Sequence, residues 1–471
     1  MKNLFYRMLA AALALTANHA FAAACGPVYG ADGIAVDALG KVWISHYEDI
    51  RIGKLDPDSG RFEEYLPAAR AEPTLLNRDS WSQTEGFDYG RDFGLYGIAL
   101  DNNRGLTWSI RFNSDKLMRF SHSDNRFSEI GLPGRIGGRF DLPMDKDGNL
   151  WLLAGAADGD SRLMRIAADG SQTAYPLPVR QATNLNVAVD RQGHGWLSLT
   201  PKGSPKAALY RFDAKGFSPV KLPDAVGLYL TRLHVDKQGE LWFATGNDIW
   251  HLRGKVSFER HAVPTANAHP AVLASDEAGN LWFTEWYGNK IGRIAADGKL
   301  TEYPLPPEEE MPMALAVDGD GKVWFSAGFN YDLFRLDPAD GRIEQFPLPV
   351  PGNWSKNAAE GMSACVVKPK DAMTKDLAKI VTLQSPATEQ MIHPAAVRHP
   401  TGFPEDKGAV VFENNCHTAC HTWYRMDKAA NRRSDWGPTV DRMIEFNKAA
   451  IIPADRDAIV DYLNRHYTMK K

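Results

Sequence analysis

A tryptophan that recurs seven times is the feature that most constrains how this chain can fold. Five of the six intervals are 40 to 46 residues long, and the first is 65. An aspartate precedes each tryptophan by six or seven positions, and in six of the repeats a glycine follows that aspartate by three positions. The aspartates and the tryptophans six or seven positions after them are Asp37 and Trp43, Asp101 and Trp108, Asp145 and Trp151, Asp190 and Trp196, Asp236 and Trp242, Asp276 and Trp282, and Asp318 and Trp324. Because such a period with strand-like segments is typical of propellers, the pattern predicts an all-β seven-bladed β-propeller.

The sixth repeat shows the physical basis of this prediction. Residues 271–274 and 281–284 are apolar, strand-like segments on either side of a turn, where Gly279 can take the left-handed conformation. Trp282 supplies a large apolar wedge. A four-stranded sheet cannot bury both of its faces alone, so neighbouring blades must stack. We predict that the propeller spans residues 25–366 and that a linker covers 367–403.

Composition excludes several classes of partner and location. The chain has 471 residues, with 54 Lys plus Arg against 58 Asp plus Glu and a formal net charge of -4. A chain without excess positive charge is a poor ligand for nucleic acid, so we predict no nucleic-acid partner. No apolar run beyond the N-terminus approaches the roughly 20 residues of a membrane-spanning helix, so no membrane span is predicted.

The N-terminus has the pattern of a secretory signal peptide. Lys2 and Arg7 supply positive charge, an apolar run covers residues 9–15, and Ala20 and Ala22 form a small-x-small cleavage site. The run is too short for a membrane anchor, and three alanines precede Cys25 where a lipoprotein would have its leucine. The pattern predicts a signal peptide over residues 1–22 and a periplasmic location.

The repeats resemble the streptogramin B lyase family (virginiamycin B lyase-like) over residues 30 to 350. The resemblance is carried by Gly-Asn-Leu-Trp-Phe-Thr-Glu-Trp-Tyr-Gly-Asn-Lys-Ile-Gly-Arg-Ile at 279–294 and Thr-Glu-Tyr-Pro-Leu-Pro at 301–306. It implies a propeller and a metal-dependent lyase. In that family the last two blades open with Pro-His, the last with Glu-Pro-His, and the last blade carries a further Glu after its Trp. These residues hold magnesium and supply a base.

This chain departs from the lyase pattern at most of those positions. Pro270 is followed by Ala271, Met311-Pro312-Met313 replaces Glu-Pro-His, and Ala327-Gly328 stands where the further Glu is expected. Glu285 remains, and His269 lies two positions before an expected His. One carboxylate without partners binds a hard cation poorly. Lyase activity is therefore the alternative hypothesis for function.

Polar residues at equivalent repeat positions suggest a binding pocket at the mouth of the ring. His46, Arg111 and Glu285 lie three positions after the tryptophans of repeats one, two and six. Asp32 and Tyr96 lie five positions before the repeat aspartates. We predict that these five form a polar pocket, with a solvated polar rim as the alternative. An insertion from Ala68 to Phe93 is either a lid or a surface loop.

Two cysteines flank the repeats. Cys25 precedes the first repeat and Cys365 follows the last. The two ends of a propeller meet in its closing blade, and export permits oxidation. We predict a disulfide between them, with two unpaired thiols as the alternative.

The C-terminal segment carries a haem-attachment pattern. Cys416 and Cys420 are separated by three residues, and His421 follows directly. The usual pattern has two residues between the cysteines, and three is a rarer variant. Two thiols add to the haem vinyl groups, and the adjacent imidazole coordinates iron. Alternatives are a zinc site that includes His417 and a local disulfide. The pattern predicts one covalent haem c.

The context of the motif favours a cytochrome. Residues 405–415, with Gly408 and Phe412, and Asp455 to His466 are predicted helices, the second with Ile459, Tyr462 and Leu463 on one face. Residues 404–468 resemble class I cytochrome c. The segment Trp-Gly-Pro-Thr-Val-Asp-Arg-Met at 436–443 resembles the one that carries the distal methionine in small cytochromes of sulfite-dehydrogenase and amine-dehydrogenase type. We predict a small all-α cytochrome c domain over 404–471, with Met443 as distal ligand and Met426, Met469 and His466 as rivals.

These features together favour a periplasmic c-type cytochrome. Its propeller would bind a substrate or partner, in electron transfer or as part of a haem-linked dehydrogenase. The predicted redox partner is a soluble cytochrome or cupredoxin, with a small-molecule substrate as a further possibility. The sequence singles out no catalytic residue.

Overall fold

A computed structural model of the chain describes part of it. The described residues are 31–46, 50–65, 95–111, 114–134, 136–137, 142–155, 160–204, 206–227, 230–254, 257–286, 288–306, 312–327, 332–348, 362–366, 370–373, 381–383, 437 and 453–466. Residues 1–22, Cys25, the 68–93 insertion, Cys416, Cys420, His421 and Met443 lie outside this set, so the predictions made on them stay predictions.

Seven antiparallel sheets form the blades of a ring. Blade one has β1 (Ala31–Val36), β2 (Val42–His46), β3 (Ile52–Asp56) and β4 (Arg61–Tyr65). Blade two has β5 (Leu95–Asp101), β6 (Leu106–Arg111), β7 (Lys116–Ser121) and β8 (Arg126–Gly131). Blade three has β9 (Ile136–Gly137), β10 (Leu150–Gly155), β11 (Ser161–Ile166) and β12 (Gln172–Pro176). Blade four has β13 (Ala182–Val189), β14 (Gly195–Pro201), β15 (Ala208–Asp213) and β16 (Gly216–Val220).

The remaining three blades repeat this order. Blade five has β17 (Arg232–Val235), β18 (Leu241–Thr245), β19 (Asp248–Arg253) and β20 (Ser257–Ala262). Blade six has β21 (Pro270–Ser275), β22 (Leu281–Glu285), β23 (Lys290–Ile294) and β24 (Leu300–Pro304). Blade seven has β25 (Pro312–Val317), β26 (Val323–Ala327), β27 (Leu333–Asp337) and β28 (Arg342–Phe346). The seven-bladed all-β propeller is therefore confirmed.

The ring closes where blade seven packs against blade one. Strands β1 and β25 lie side by side, and Ile34 and Val42 share one hydrophobic cluster with Trp324 and Phe346. The first strand of each blade faces the ring axis, so the second strand, with its tryptophan, is sandwiched between neighbours. This stacking buries the sheet faces that a lone blade would expose.

Three further strands extend the outer edges of blades. β29 (Met362–Val366) pairs with β4, β30 (Lys370–Met373) with β28, and β31 (Val381–Leu383) with β24. The segment 367–403, predicted as a linker, thus contributes β30 and β31 to the propeller. An exposed sheet edge offers unpaired backbone groups, and a following segment that pairs with it satisfies them. In β29 the backbone of Cys365 lies opposite Phe62; the disulfide with Cys25 stays a prediction.

The repeated aspartate links the turn to the tryptophan. In blade six, Asp276 Oδ1 accepts a hydrogen bond from the backbone N–H of Asn280 at 2.9 Å, and Oδ2 accepts one from Trp282 Nε1 at 2.8 Å. Gly279, at φ 81°, completes the turn. The same Asp–Trp bond forms in blades one, three, five and seven. In blade two the spacing is seven rather than six, and Asp101 bonds Arg104 instead.

Gly292 on β23 lies against the aromatic ring of Phe283 in the core, and a substitution there tests this packing. A Cβ added there would overlap the buried ring of Phe283. Since overpacking typically costs about 1–3 kcal/mol, Gly292→Ala should lower the free energy of unfolding by that amount in urea titrations followed by tryptophan fluorescence. Gly131→Ala is the matched control, because a Cβ at Gly131 meets nothing within 4 Å. Equal urea midpoints for the two variants would contradict the packing described here.

A single described helix, α1 (Pro453–His466), lies in the C-terminal segment. It confirms the helix predicted from Asp455 to His466. Its Ile459, Tyr462 and Leu463 are buried, as the one-sided apolar pattern predicts. Among the described residues, no helix is long and apolar enough to cross a membrane.

Candidate functional site

The second strands of the blades all end at one edge of the ring. His46 pairs there with Ala31, Arg111 with Leu95, and Glu285 with Pro270, each at the start of an inner strand. This edge is called the polar edge below. Tyr96 lies on β5 at the same edge and is half-buried. The backbone of Asp32 lies in β1, and its side chain is outside the described set.

The three predicted pocket residues at the second-strand ends are buried. His46 is 1%, Arg111 9% and Glu285 0% exposed. Side chains on a solvated rim would be open to water, and these three side chains are not. The pocket itself stays a prediction.

Each of these residues has charged neighbours on the third and fourth strands of its blade, and sequence reasoning missed them. In blade one Arg51 lies 3.4 Å from Glu64, and both are buried. In blade two Glu129 accepts hydrogen bonds from Arg111 at 2.6 Å and Lys116 at 3.2 Å. In blade six Lys290 Nζ lies 2.5 Å from Glu302 Oε2. The sequence signal for these pairs is a basic residue just before the third strand or at its start, together with a glutamate on the fourth strand, at the same repeat positions.

The other blades place different residues at the polar edge. Blade five reverses the pair, with Arg260 2.9 Å from Asp248. Blades three and four place Ala154 and Leu199 near the ends of their second strands. Blade seven has Asp332, which accepts a hydrogen bond from Gln345. Blades six, one and two therefore share one arrangement, with the basic residue at or just before the third strand and the glutamate on the fourth, and blade seven lies between blades six and one.

Glu285 is the most perturbed group at this edge. The ammonium group of Lys290 donates hydrogen bonds to Glu302 Oε2 and to Thr265 Oγ1, at 2.5 Å each. The carboxyl group of Glu285 is fully buried and lies close to Glu302 and Thr265. Burial, reinforced by the charge of Glu302 and opposed by that of Lys290, raises the pKa of Glu285 to about 8. At neutral pH the side chain is therefore a protonated acid that can donate a hydrogen bond or a proton.

His269 lies beside Glu285 in strained backbone. It precedes Pro270, the register partner of Glu285, and has φ 53°. A left-handed conformation is uncommon for a residue other than glycine and is often found at functional sites. Its ring lies 5.6 Å from that of Trp286. The sequence shows only that His269 lies two positions before the histidine expected in the lyase pattern. The structure adds that its backbone is strained.

The sheets and the polar edge define a seven-bladed β-propeller with a set of buried ionisable groups at one edge. A family model described as the Virginiamycin B lyase family matches residues 220–407. The chain is 37% identical over 73 residues to Virginiamycin B lyase of Nocardia farcinica, a match that covers 14% of this chain and 24% of that protein. The chain thus spans about a quarter of the length of this curated relative. Over this region the propeller is virginiamycin B lyase-like.

Solved structures with a similar arrangement include two from other bacteria. Selenomethionine-substituted virginiamycin B lyase from Staphylococcus aureus is 24% identical, with a TM-score of 0.49, covering 64% of this chain and 92% of that one. A protein of unknown function from Bacteroides thetaiotaomicron is 14% identical, with a TM-score of 0.37, covering 51% and 68%. The propeller assignment itself rests on the seven sheets described above.

The positions expected to hold the lyase magnesium do not fit that ion in the described residues. Ala271 and Ala327 are buried and offer no side-chain oxygen, and Pro312 and Met313 occupy the opening of the last blade. Magnesium is held through oxygen ligands. Glu285, in the preceding blade, is the carboxyl group that remains.

Proposed function

We propose that the chain is an exported, periplasmic c-type cytochrome whose propeller binds a donor at the polar edge. The observation that carries the proposal is the Cys416-x-x-x-Cys420-His421 motif. Within residues 404–471, Cys416 and Cys420 would hold the haem covalently, with His421 and Met443 as axial ligands. Bound in this way, haem c supplies one-electron transfer.

The buried face of α1 supports the cytochrome proposal. Ile459, Tyr462 and Leu463 are almost fully withdrawn from water although the helix carries many charges. A C-terminal helix that buries one apolar face is what a small haem domain requires of its last element. Cys416, Cys420, His421 and Met443 lie outside the described residues, so the proposal rests on the motif and this helix together.

The propeller would contribute recognition. Paired charges in blades six, one and two can orient a polar ligand or partner, and protonated Glu285 can donate a hydrogen bond to it. A soluble cytochrome or cupredoxin is the proposed electron acceptor. A small molecule bound at the polar edge is the proposed donor.

A second candidate is a lyase, and the comparisons favour it. The matching family model describes the virginiamycin B lyase family, and the Nocardia farcinica relative is a virginiamycin B lyase. Against it, the expected ligand positions hold Ala271, Met311 and Met313, and Ala327-Gly328 stands where the further Glu is expected. A lyase on this chain would have to use Glu285 and His269 in a different arrangement.

One experiment compares the two candidates on the same preparation. Full-length protein made with cytochrome maturation machinery is reduced and mixed with an oxidised soluble cytochrome or cupredoxin, and haem oxidation is followed by stopped-flow absorbance. The same protein is incubated with a streptogramin B antibiotic and magnesium, and ring opening is followed by mass spectrometry. We expect haem oxidation and no ring opening. A haem that stays reduced with every acceptor would contradict electron transfer, and ring opening would establish the lyase.

A further inference from the structure

Blade five departs from a side-chain pattern that the other blades share. On the third strand, the residue opposite each blade tryptophan is basic in six blades: Lys54, Arg119, Arg165, Arg211, Arg293 and Arg335. In several blades this cation lies over the tryptophan ring. Blade five has His251 at this position, opposite Trp242.

A second histidine replaces an apolar or aromatic residue in the same blade. On the fourth strand, the equivalent positions hold Tyr65, Ile130, Tyr175, Val220, Tyr303 and Phe346. Blade five has His261 there. Glu259 lies directly opposite His251 and two positions before His261. Since alternate residues of a strand share a face, His251, Glu259 and His261 project from one side of the sheet.

The three side chains converge over Trp242. The His251 ring stacks on Trp242 with centroids 3.6 Å apart, and the His261 ring lies 5.7 Å away. One ligand atom from each of His251, Glu259 and His261 falls within 4.8 Å of the others. Asp236, Glu240 and His251 meet the same criterion, so His251 is common to both groups.

The histidines are buried, while the carboxylates reach solvent. His251 and His261 side chains are each 3% exposed, against 28% for Glu240 and 29% for Glu259. Among the described residues, His261 Nε2 and His251 Nδ1 have no hydrogen-bond partner. The other ring nitrogen of His251 lies 2.8 Å from Glu240 Oε2, and Arg253 Nε donates to Glu259 Oε2 at 2.8 Å, which leaves Glu259 Oε1 facing His261. Buried ring nitrogens without partners cost free energy unless something else satisfies them.

We propose that His251, Glu259 and His261 form a site for a divalent transition-metal ion of the zinc class, with Glu240 as a nearby second carboxylate. Two imidazoles and a carboxylate suit Zn²⁺ rather than Mg²⁺ or Ca²⁺, which prefer all-oxygen sites. The partly exposed carboxylates give the ion access from water. The ion would tie β19 to β20. This site shares no residue with the pocket predicted at the polar edge or with the Cys416–His421 motif.

The test restores the pattern of the sister blades. The double variant His251→Arg/His261→Tyr carries side chains that blade six has at the same positions, so it should fold. In the full chain, Zn²⁺ affinity is measured by competition with a chromophoric chelator, and Co²⁺ binding by its visible absorption. Loss of an outer partner alone typically costs about 10–100-fold, so we expect the double variant to lose one zinc equivalent or to bind it at least about 100-fold more weakly.

Two controls make the result specific. His194→Asn removes an exposed histidine that lies 3.2 Å from Asp190 on blade four, and it should leave zinc binding unchanged. The Cys416–His421 segment is present in every variant, so any zinc that it binds cancels in the comparison. If the double variant does not fold, zinc stoichiometry and affinity are measured on His261→Gln instead. Equal zinc stoichiometry and affinity in the wild type and the folded variant would overturn the proposal.

Discussion

Replacing Cys416 and Cys420 together with serine is expected to abolish covalent haem attachment. Each thioether needs its own thiol, and serine cannot add to a haem vinyl group under maturation conditions. Wild-type protein should retain one haem per chain after denaturation, visible as peroxidase staining in a gel and in the pyridine haemochrome spectrum. The double variant should retain none.

The control for this experiment is Cys365→Ser, which removes a cysteine from β29 but leaves the haem motif intact. It should stain like the wild type. A colourless wild-type protein, made with maturation machinery present, would refute the haem. One equivalent of tightly bound zinc that is lost with Cys416 and Cys420 would instead support the zinc alternative at this motif.

Glu285→Gln is expected to stabilise the propeller at alkaline pH by an amount that grows between pH 4.5 and about 8. The ordinary pKa of this carboxyl is 4.5, and burial raises the pKa to about 8 in the folded state. Below pH 4.5 both the folded and the unfolded chain hold the proton. Between these values only the folded chain holds it, so the wild-type free energy of unfolding falls as pH rises.

Glutamine mimics the protonated acid and does not titrate, so the variant escapes this loss. Urea titrations at pH 5, 7 and 9 should show a difference that reaches on the order of 5 kcal/mol at pH 9, because the pKa moves from 4.5 to about 8 on folding and each pKa unit corresponds to about 1.4 kcal/mol. Glu129→Gln is the control, since it removes a half-exposed carboxylate from the same edge in blade two. Parallel pH dependence of wild type and Glu285→Gln would show that Glu285 ionises in the folded protein as it does in the unfolded one.

The repeat pattern predicted the fold because each blade is a local unit. The Asp-to-Trp spacing sets a turn and the start of the next strand, and five blades use one carboxylate for both. The added strands β29, β30 and β31 were not predicted. Nothing local marks them, because their pairing depends on which sheet edges remain open once the ring has closed.

The candidate site was predicted in part. Counting from each tryptophan located His46, Arg111 and Glu285 at one edge of the ring. The count did not include Arg51 with Glu64 or Lys290 with Glu302, because these come from strands whose register follows from pairing. A one-residue slip would place each of them on the opposite face of its sheet.

By itself the sequence determined the number of blades, the tryptophan and aspartate that build them and the apolar face of α1, all of which are local patterns. Only the tertiary structure decided that Glu285 is withdrawn from water beside Glu302, and that His251, Glu259 and His261 converge over Trp242. Burial and convergence depend on strand register and on neighbouring blades. The state of each ionisable side chain is therefore set by residues distant in the chain.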